Sequence, residues 1–185
     1  MFLQVVDLYQ RGHRGVPMVS AEVLTDGGSA VIEFLVDTGS DFTILNRSAL
    51  DRFPKPPKAF GAPKTLHGVS GKQTMDSIAE VVLAFKGRQL MVSDGNLLPT
   101  DREVVVALDC TDVPIREGRD LPYSLLGMDV LRRFGAQMFL NYCPQAKIVD
   151  WLDNMPNCLR FRNATIMADK AGNPVPDDEF PSGSD

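Results

Sequence analysis

Apolar residues recur along this chain in short runs broken by glycine, proline and acidic residues, and no long stretch keeps helical spacing. Runs of four to eight apolar or β-branched residues between turn signals predict strands. Phe2 to Tyr9 is the first such run, closed by the turn-rich Arg11-Gly12-His13-Arg14-Gly15. Pro17 to Leu24 alternates, Asp26-Gly27-Gly28 turns the chain, and Ala30 to Val36 returns, which predicts a hairpin. Phe42 to Leu45 predicts a further short strand. Asn46 to Phe53 predicts one or two helical turns with Asn46 as N-cap, ended by Pro54-Lys55-Pro56-Pro57. Lys64 to His67 and a long run from Lys72 to Phe85 flank the tip Gly68-Val69-Ser70-Gly71, a hairpin with a flexible end.

Lys86-Gly87 is expected to turn the chain again before strands at Gln89 to Val92 and Val104 to Leu108. Polar loops are expected around Asp94-Gly95-Asn96, Pro99-Thr100-Asp101 and Asp112 to Asp120. Leu121 to Gly127 is a short apolar run stopped by glycine, and Met128 to Phe134 carries Val130, Leu131 and Phe134 at helical spacing, with Gly135 at the C′ position. Gln137 to Tyr142 and Lys147 to Leu152 read as a hairpin, and Leu159 to Phe161 as a last strand. The expected fold class is all-β, a closed or partly closed barrel with one or two short helices. The expected division is an N-terminal strand and linker over 1–16, one domain over 17–163, and a polar acidic tail over 164–185 whose composition buries no core.

Composition narrows the function classes. At 185 residues and 44% apolar content the chain supports one domain with a sizeable core. A net charge of -5, with no Lys/Arg run, argues against a nucleic-acid partner. Three scattered cysteines without a C-x-x-C pair speak against a zinc site or a disulfide framework and fit a reducing, cytoplasmic setting. The first residues lack the basic region and apolar core of a signal peptide, and no apolar run is long enough to span a bilayer.

The most informative stretch is Phe34-Leu35-Val36-Asp37-Thr38-Gly39-Ser40-Asp41. An apolar strand ends on one acid, and burying a carboxylate is costly unless it is paired, hydrogen-bonded or used. Gly39 permits close backbone approach or positive φ, and Thr38 and Ser40 bring hydroxyls near the carboxylate. The alternative is an aspartate that only caps its own turn.

Asp37-Thr38-Gly39-Ser40 after an apolar strand, a glycine-tipped hairpin, and Leu125-Leu126-Gly127 before a short helix together resemble the retropepsin-like aspartic proteases. The resemblance runs from about Pro17 to Leu152, and Leu125 to Arg133 looks closer to the cellular, ubiquitin-shuttle type than to the viral enzymes. It implies an acid-protease barrel with one lobe per chain. By the same resemblance Asp37 is the catalytic aspartate and Thr38 bonds across a two-fold axis. Gly39 admits substrate backbone, Ser40 donates to the outer oxygen of Asp37, and Asp41 helps bind substrate main chain. Gly68, Val69, Ser70 and Gly71 form the tip of a flap, and Leu125 and Gly127 support the loop beside the substrate. Met128 stands where viral members usually carry an arginine that buttresses the dimer.

One Asp-Thr-Gly per chain implies a homodimer, because the chemistry needs two carboxylates. The expectation is therefore a homodimeric aspartic endopeptidase acting on peptide or protein substrates, with no metal and no cofactor. A dimeric peptide-binding scaffold on the same fold is the alternative. A sugar-kinase-type phosphate turn needs two large α/β lobes, which this chain is too short and too helix-poor to form, and a haloacid-dehalogenase phosphatase needs an acid where Gly39 stands. His13 and His67 are the only histidines, and His67 reads as a solvent-facing loop residue. Asp109 and Asp112 flank Cys110 without a further ligand cluster.

Overall fold

A computed structural model describes residues 2–7, 9–11, 16–58, 60–68, 71–93, 96–117, 123–139, 158–161 and 165–169. The described residues are mostly strand, with a nearly closed six-stranded barrel and two short helices among them. The expected all-β acid-protease fold is thus the fold observed.

The alternation of the first hairpin translates directly into burial. Strand β3 (Val16–Thr25) pairs antiparallel with β4 (Gly28–Val36), Thr25 opposite Gly28 and Met18 opposite Leu35. Val19, Ala21 and Val23 on one strand, and Ile32, Phe34 and Val36 on the other, point into the core while their neighbours are more exposed, except Met18, which is buried as well. The connecting turn is held from outside. Lys58 N–H donates to the Asp26 carboxylate and Lys55 N–H to the Gly27 carbonyl. A Cβ at Gly27 would collide with the Lys55 carbonyl, so the proline-rich segment can lie this close only over glycine.

The largest pairing is between β8 (Ser77–Ser93) and β9 (Asn96–Arg116). Here the expected turn at Lys86-Gly87 does not occur: Lys86 pairs with Val105 and Gly87 with Val104, and the strand runs on. Continuous pairing with a long partner overrides the local turn preference, and the irregularity is confined to a register shift between Arg88 and Leu90. Pro99-Thr100-Asp101 and Asp112 to Arg116, expected in loops, are likewise within β9. Val81, Leu83 and Phe85 face Val106, Leu108 and Cys110 in the core. Burying each large apolar side chain of this kind contributes roughly 1.5–3 kcal/mol.

Further strands extend this framework. β1 (Phe2–Asp7) pairs with β8 and with β12 (Cys158–Phe161), β12 pairs with β11 (Ala136–Phe139), and β2 (Tyr9–Arg11) pairs with β3. The expected hairpin of Gln137–Tyr142 with Lys147–Leu152 lies mostly outside the described residues; the part described belongs to β11, which pairs with β12. β13 (Thr165–Asp169) adds to β9 and falls inside the segment assigned to the tail.

The short helices form where their caps predict. Asn46 Oδ1 accepts the Ser48 N–H at 3.1 Å at the start of α1 (Arg47–Leu50). α2 (Met128–Arg133) ends ahead of Gly135, whose φ of 60° is the left-handed conformation expected at C′. β6 (Lys64–Gly68) and β7 (Gly71–Met75) form a separate two-stranded sheet, Gly68 opposite Gly71.

Candidate active site

Three chain segments cross below Asp37. β10 (Ser124–Leu126) lies parallel to β4, Leu126 opposite Val36, and bonds on its other side to Ile44. Ile44 N–H donates to the Leu125 carbonyl at 2.9 Å, and Leu125 N–H to the Ile44 carbonyl at 2.8 Å. β10 is therefore inserted between two segments that follow each other in sequence. The chain between Val36 and Ile44 must loop over its end, and that loop is Asp37-Thr38-Gly39-Ser40-Asp41.

The loop is tied down by the backbone. Asp37 N–H donates to the Leu126 carbonyl, and Ser40 N–H to the Asp37 carbonyl. The first amides of α2 meet its far side: Met128 N–H donates to the Ser40 carbonyl at 2.8 Å and Asp129 N–H to the Asp41 carbonyl at 3.0 Å. Below them Gly127 N–H donates to Thr43 Oγ1 at 2.9 Å, and Thr43 Oγ1 donates to Asp129 Oδ1 at 2.8 Å. The same carboxylate oxygen accepts the backbone N–H of Thr43 and of Val130, each at 2.7 Å. Thr43 is fully buried, so its two donors depend on that acceptor.

Gly127 is required by space. A Cβ there would run into the Phe42 carbonyl group and stand 2.7 Å from Thr43 N. Leu125 is buried and its backbone is used on both sides. Leu125 and Gly127 thus lie beneath the loop, Leu125 through its backbone bonds and Gly127 through the room it leaves for Phe42 and Thr43.

At the top of the loop Asp37 is half-buried, while Thr38, Gly39 and Asp41 are exposed. Gly39 N–H donates to Asp37 Oδ1 at 2.9 Å. Gly39 has no positive φ; its value lies in proximity, since a Cβ would sit 3.2 Å from Asp37 Oδ1. Ser40 departs from expectation. Its hydroxyl donates to the Phe42 carbonyl at 2.8 Å, and with one proton to give it does not also donate to Asp37.

Beside Thr38 opens an apolar cleft of about 220 Å³, walled by Val36, Met128, Leu131, Met138 and Leu159. The β6–β7 hairpin approaches the far end of the loop at Phe42. Lys64, Leu66, Gln73 and Met75 share one of its faces by register, and Lys64 Nζ lies 5.6 Å from the centre of the Phe42 ring. On that face Met75 is buried, Lys64 and Leu66 are half-buried and Gln73 is exposed, whereas Thr65, His67, Lys72 and Thr74 on the other face are all exposed. Gly68 and Gly71 flank the tip; Val69 and Ser70 lie outside the described residues.

Thr43 and Asp129 are the site residues that sequence reasoning missed. A signal was available: a threonine inside the apolar run Phe42 to Leu45 needs a partner, and an acid in the first turn of a helix is placed to accept amide protons.

A single β-barrel lobe that loops an Asp-Thr-Gly over a crossing of three segments belongs to the acid-protease class of architectures. The family model for aspartyl proteases, retropepsin-like in type, matches residues 19–130, more than half of the 185. The chain belongs to that family. No curated protein matches it.

Proposed function

We propose that the protein is a homodimeric aspartic endopeptidase whose catalytic dyad is Asp37 from each of two subunits. The observation that carries this reading is the single Asp37 carboxylate, presented on an exposed Thr-Gly turn whose backbone is held from below by β10 and α2. The effort of positioning goes to one acid per lobe, and acid-protease chemistry uses two.

In the dimer the ionised carboxylate takes a proton from water as that water attacks the scissile carbonyl. The protonated one gives its proton to the carbonyl oxygen. Two like charges ~3 Å apart repel by on the order of 5 kcal/mol at an effective dielectric of 20, so the pair holds one shared proton over a wide pH range. The exposed Thr38 faces the partner's loop. The cleft beside it, with Met128 in its wall, gives this contact an apolar character where the viral enzymes use an arginine.

The β6–β7 hairpin acts as a flap. An extended peptide lies as an added strand between its barrel-facing side and the floor around Asp37, held by main-chain hydrogen bonds. Asp41, exposed beside Asp37, contributes to that main-chain binding.

The test is hydrolysis of a peptide library by wild type and by Asp37→Asn, with and without pepstatin. Asp37→Asn keeps shape and removes the ionisable group, so it should fold, dimerise and show no turnover. Turnover in the purified variant sinks the assignment; peptide binding without hydrolysis by wild type points to the scaffold.

A further inference from the structure

We propose that Asp112 is a positioning residue for the β6–β7 hairpin, setting the height at which it closes over bound peptide. The inference rests on the reading of that hairpin as a flap.

The hairpin meets the barrel at two legs, residues 60–63 and Asp76-Ser77. Gly61 N–H donates to the Ser77 carbonyl at 2.9 Å, and the fully buried Ser77 returns its hydroxyl to the Ala62 carbonyl at 2.8 Å. Ile115 N–H donates to the Asp76 carbonyl at 2.7 Å, which ties the second leg to β9. The first leg receives its own tie to β9 from a side chain: Ala62 N–H donates to Asp112 Oδ1 at 3.2 Å.

Two unusual features serve that one contact. Asp112 has φ 50°, and it is the only non-glycine residue with positive φ among the described residues. The β8–β9 ladder holds on either side of it, at Ile78–Val113 and Glu80–Thr111, so the left-handed backbone is an interruption inside a strand. Gly61 supplies the complementary space. A Cβ there would strike Asp112 Oδ1, and would stand 2.7 Å from Ser77 Oγ and 3.1 Å from Ala79 Cα. Leg and carboxylate approach this closely only because one residue bends and the other lacks a side chain.

The clamp is coupled to the floor of the site. Two residues beyond Ala62 the leg becomes β6, whose Lys64 rests on the Phe42 ring, and the Phe42 carbonyl accepts the Ser40 hydroxyl. Fixing Ala62 therefore fixes the hairpin's start relative to the Asp37 turn. A freed leg lets the hairpin ride higher, and the peptide it covers loses main-chain contacts before chemistry begins.

The glycine variant separates this role from fold maintenance. Asp112→Gly suits the left-handed backbone and deletes the acceptor, so the barrel keeps its melting temperature while the leg is freed. Asp112→Asn tolerates the same φ and keeps an oxygen at the acceptor position. With the full-length protein and an extended peptide, Asp112→Gly should raise KM at least about threefold with kcat changed less than about twofold, and Asp112→Asn should restore KM. Hydrogen exchange at the amides of 64–68 and 71–75 should quicken in Asp112→Gly alone.

An unchanged KM in Asp112→Gly, an equal defect in Asp112→Asn, or a melting temperature that falls with the rise in KM overturns the proposal. If wild type hydrolyses no peptide, the protease reading fails and the exchange measurement still decides. Faster hairpin exchange in Asp112→Gly, restored in Asp112→Asn, supports the clamp, and unchanged exchange overturns it.

Discussion

Asp129 offers the sharpest test of how the Asp37 loop is held. Its Oδ1 accepts three protons, from Thr43 N–H, Thr43 Oγ1 and Val130 N–H. Asp129→Ala removes all three bonds. The Val130 amide belongs to the first turn of α2, beside the exposed Asp129, and its bond is taken as the smaller part of the cost. Thr43 is fully buried, and its donors fare differently. Stranding its N–H costs about 1–3 kcal/mol, and losing the acceptor of its hydroxyl, which still accepts from Gly127, about 0.5–1.5 kcal/mol. Partial water entry favours the lower part of that range, and a total of about 2–3 kcal/mol is expected. Asp129→Asn keeps an acceptor oxygen in place and loses only charge assistance, so about 1 kcal/mol is expected. Urea unfolding followed by tryptophan fluorescence, with m unchanged, reads both values. Equal losses for Asn and Ala, or a loss below about 0.5 kcal/mol for Ala, would refute the claim that this carboxylate satisfies buried Thr43.

Two further outcomes follow from the structure. Burial, with Asp129 and Asp109 nearby, pushes the Cys110 thiol up to about 12 from 9.0. The unfolded chain therefore loses this proton first, and the contribution to stability is full below pH 9 and is lost as pH rises toward 12, with a slope approaching 1.4 kcal/mol per pH unit, roughly. Cys110→Ala should flatten that part of the stability–pH curve relative to wild type, and parallel curves would contradict the assignment. Ser40→Ala removes the bond to the Phe42 carbonyl and should cost about 0.5–1.5 kcal/mol of stability while leaving the acidic limb of the pH–rate profile in place. An upward move of that limb would show that the hydroxyl serves the Asp37 carboxylate during catalysis.

Local chemistry made much of the fold legible. The β3–β4 hairpin shows in its alternation and its Asp26-Gly27 turn, α1 in its Asn46 cap, and the end of α2 in Gly135. The turn signal at Lys86-Gly87 does not show in the fold because long-range pairing with β9 decides the conformation there, whereas Asp112 keeps a turn-like φ of 50° inside β9. At the site, the Asp37 turn could be read from its own residues because Gly39 N–H bonds the carboxylate two residues away, whereas the tight fit at Gly127 is set by Phe42 and Thr43, distant in sequence, and its role came with the family resemblance. The Thr43–Asp129 bond joins residues 86 apart and the Ala62–Asp112 bond residues 50 apart, and neither is visible to a local reading. Ser40 differs from its expected role because a hydroxyl near a carboxylate has a second acceptor within reach, the Phe42 carbonyl.

The central claim is that one active site takes Asp37 from two chains, and subunit mixing addresses it most directly. A dimer of one wild-type and one Asp37→Asn subunit has one catalytic carboxylate and should be inactive. An equal amount of Asp37→Asn is added to a fixed amount of wild type, and exchange is verified with differently tagged chains. Random pairing leaves about a quarter of all dimers fully wild type, so total activity should fall to about half. Activity that stays at the wild-type level after verified exchange would place both catalytic groups within one chain and contradict the shared dyad.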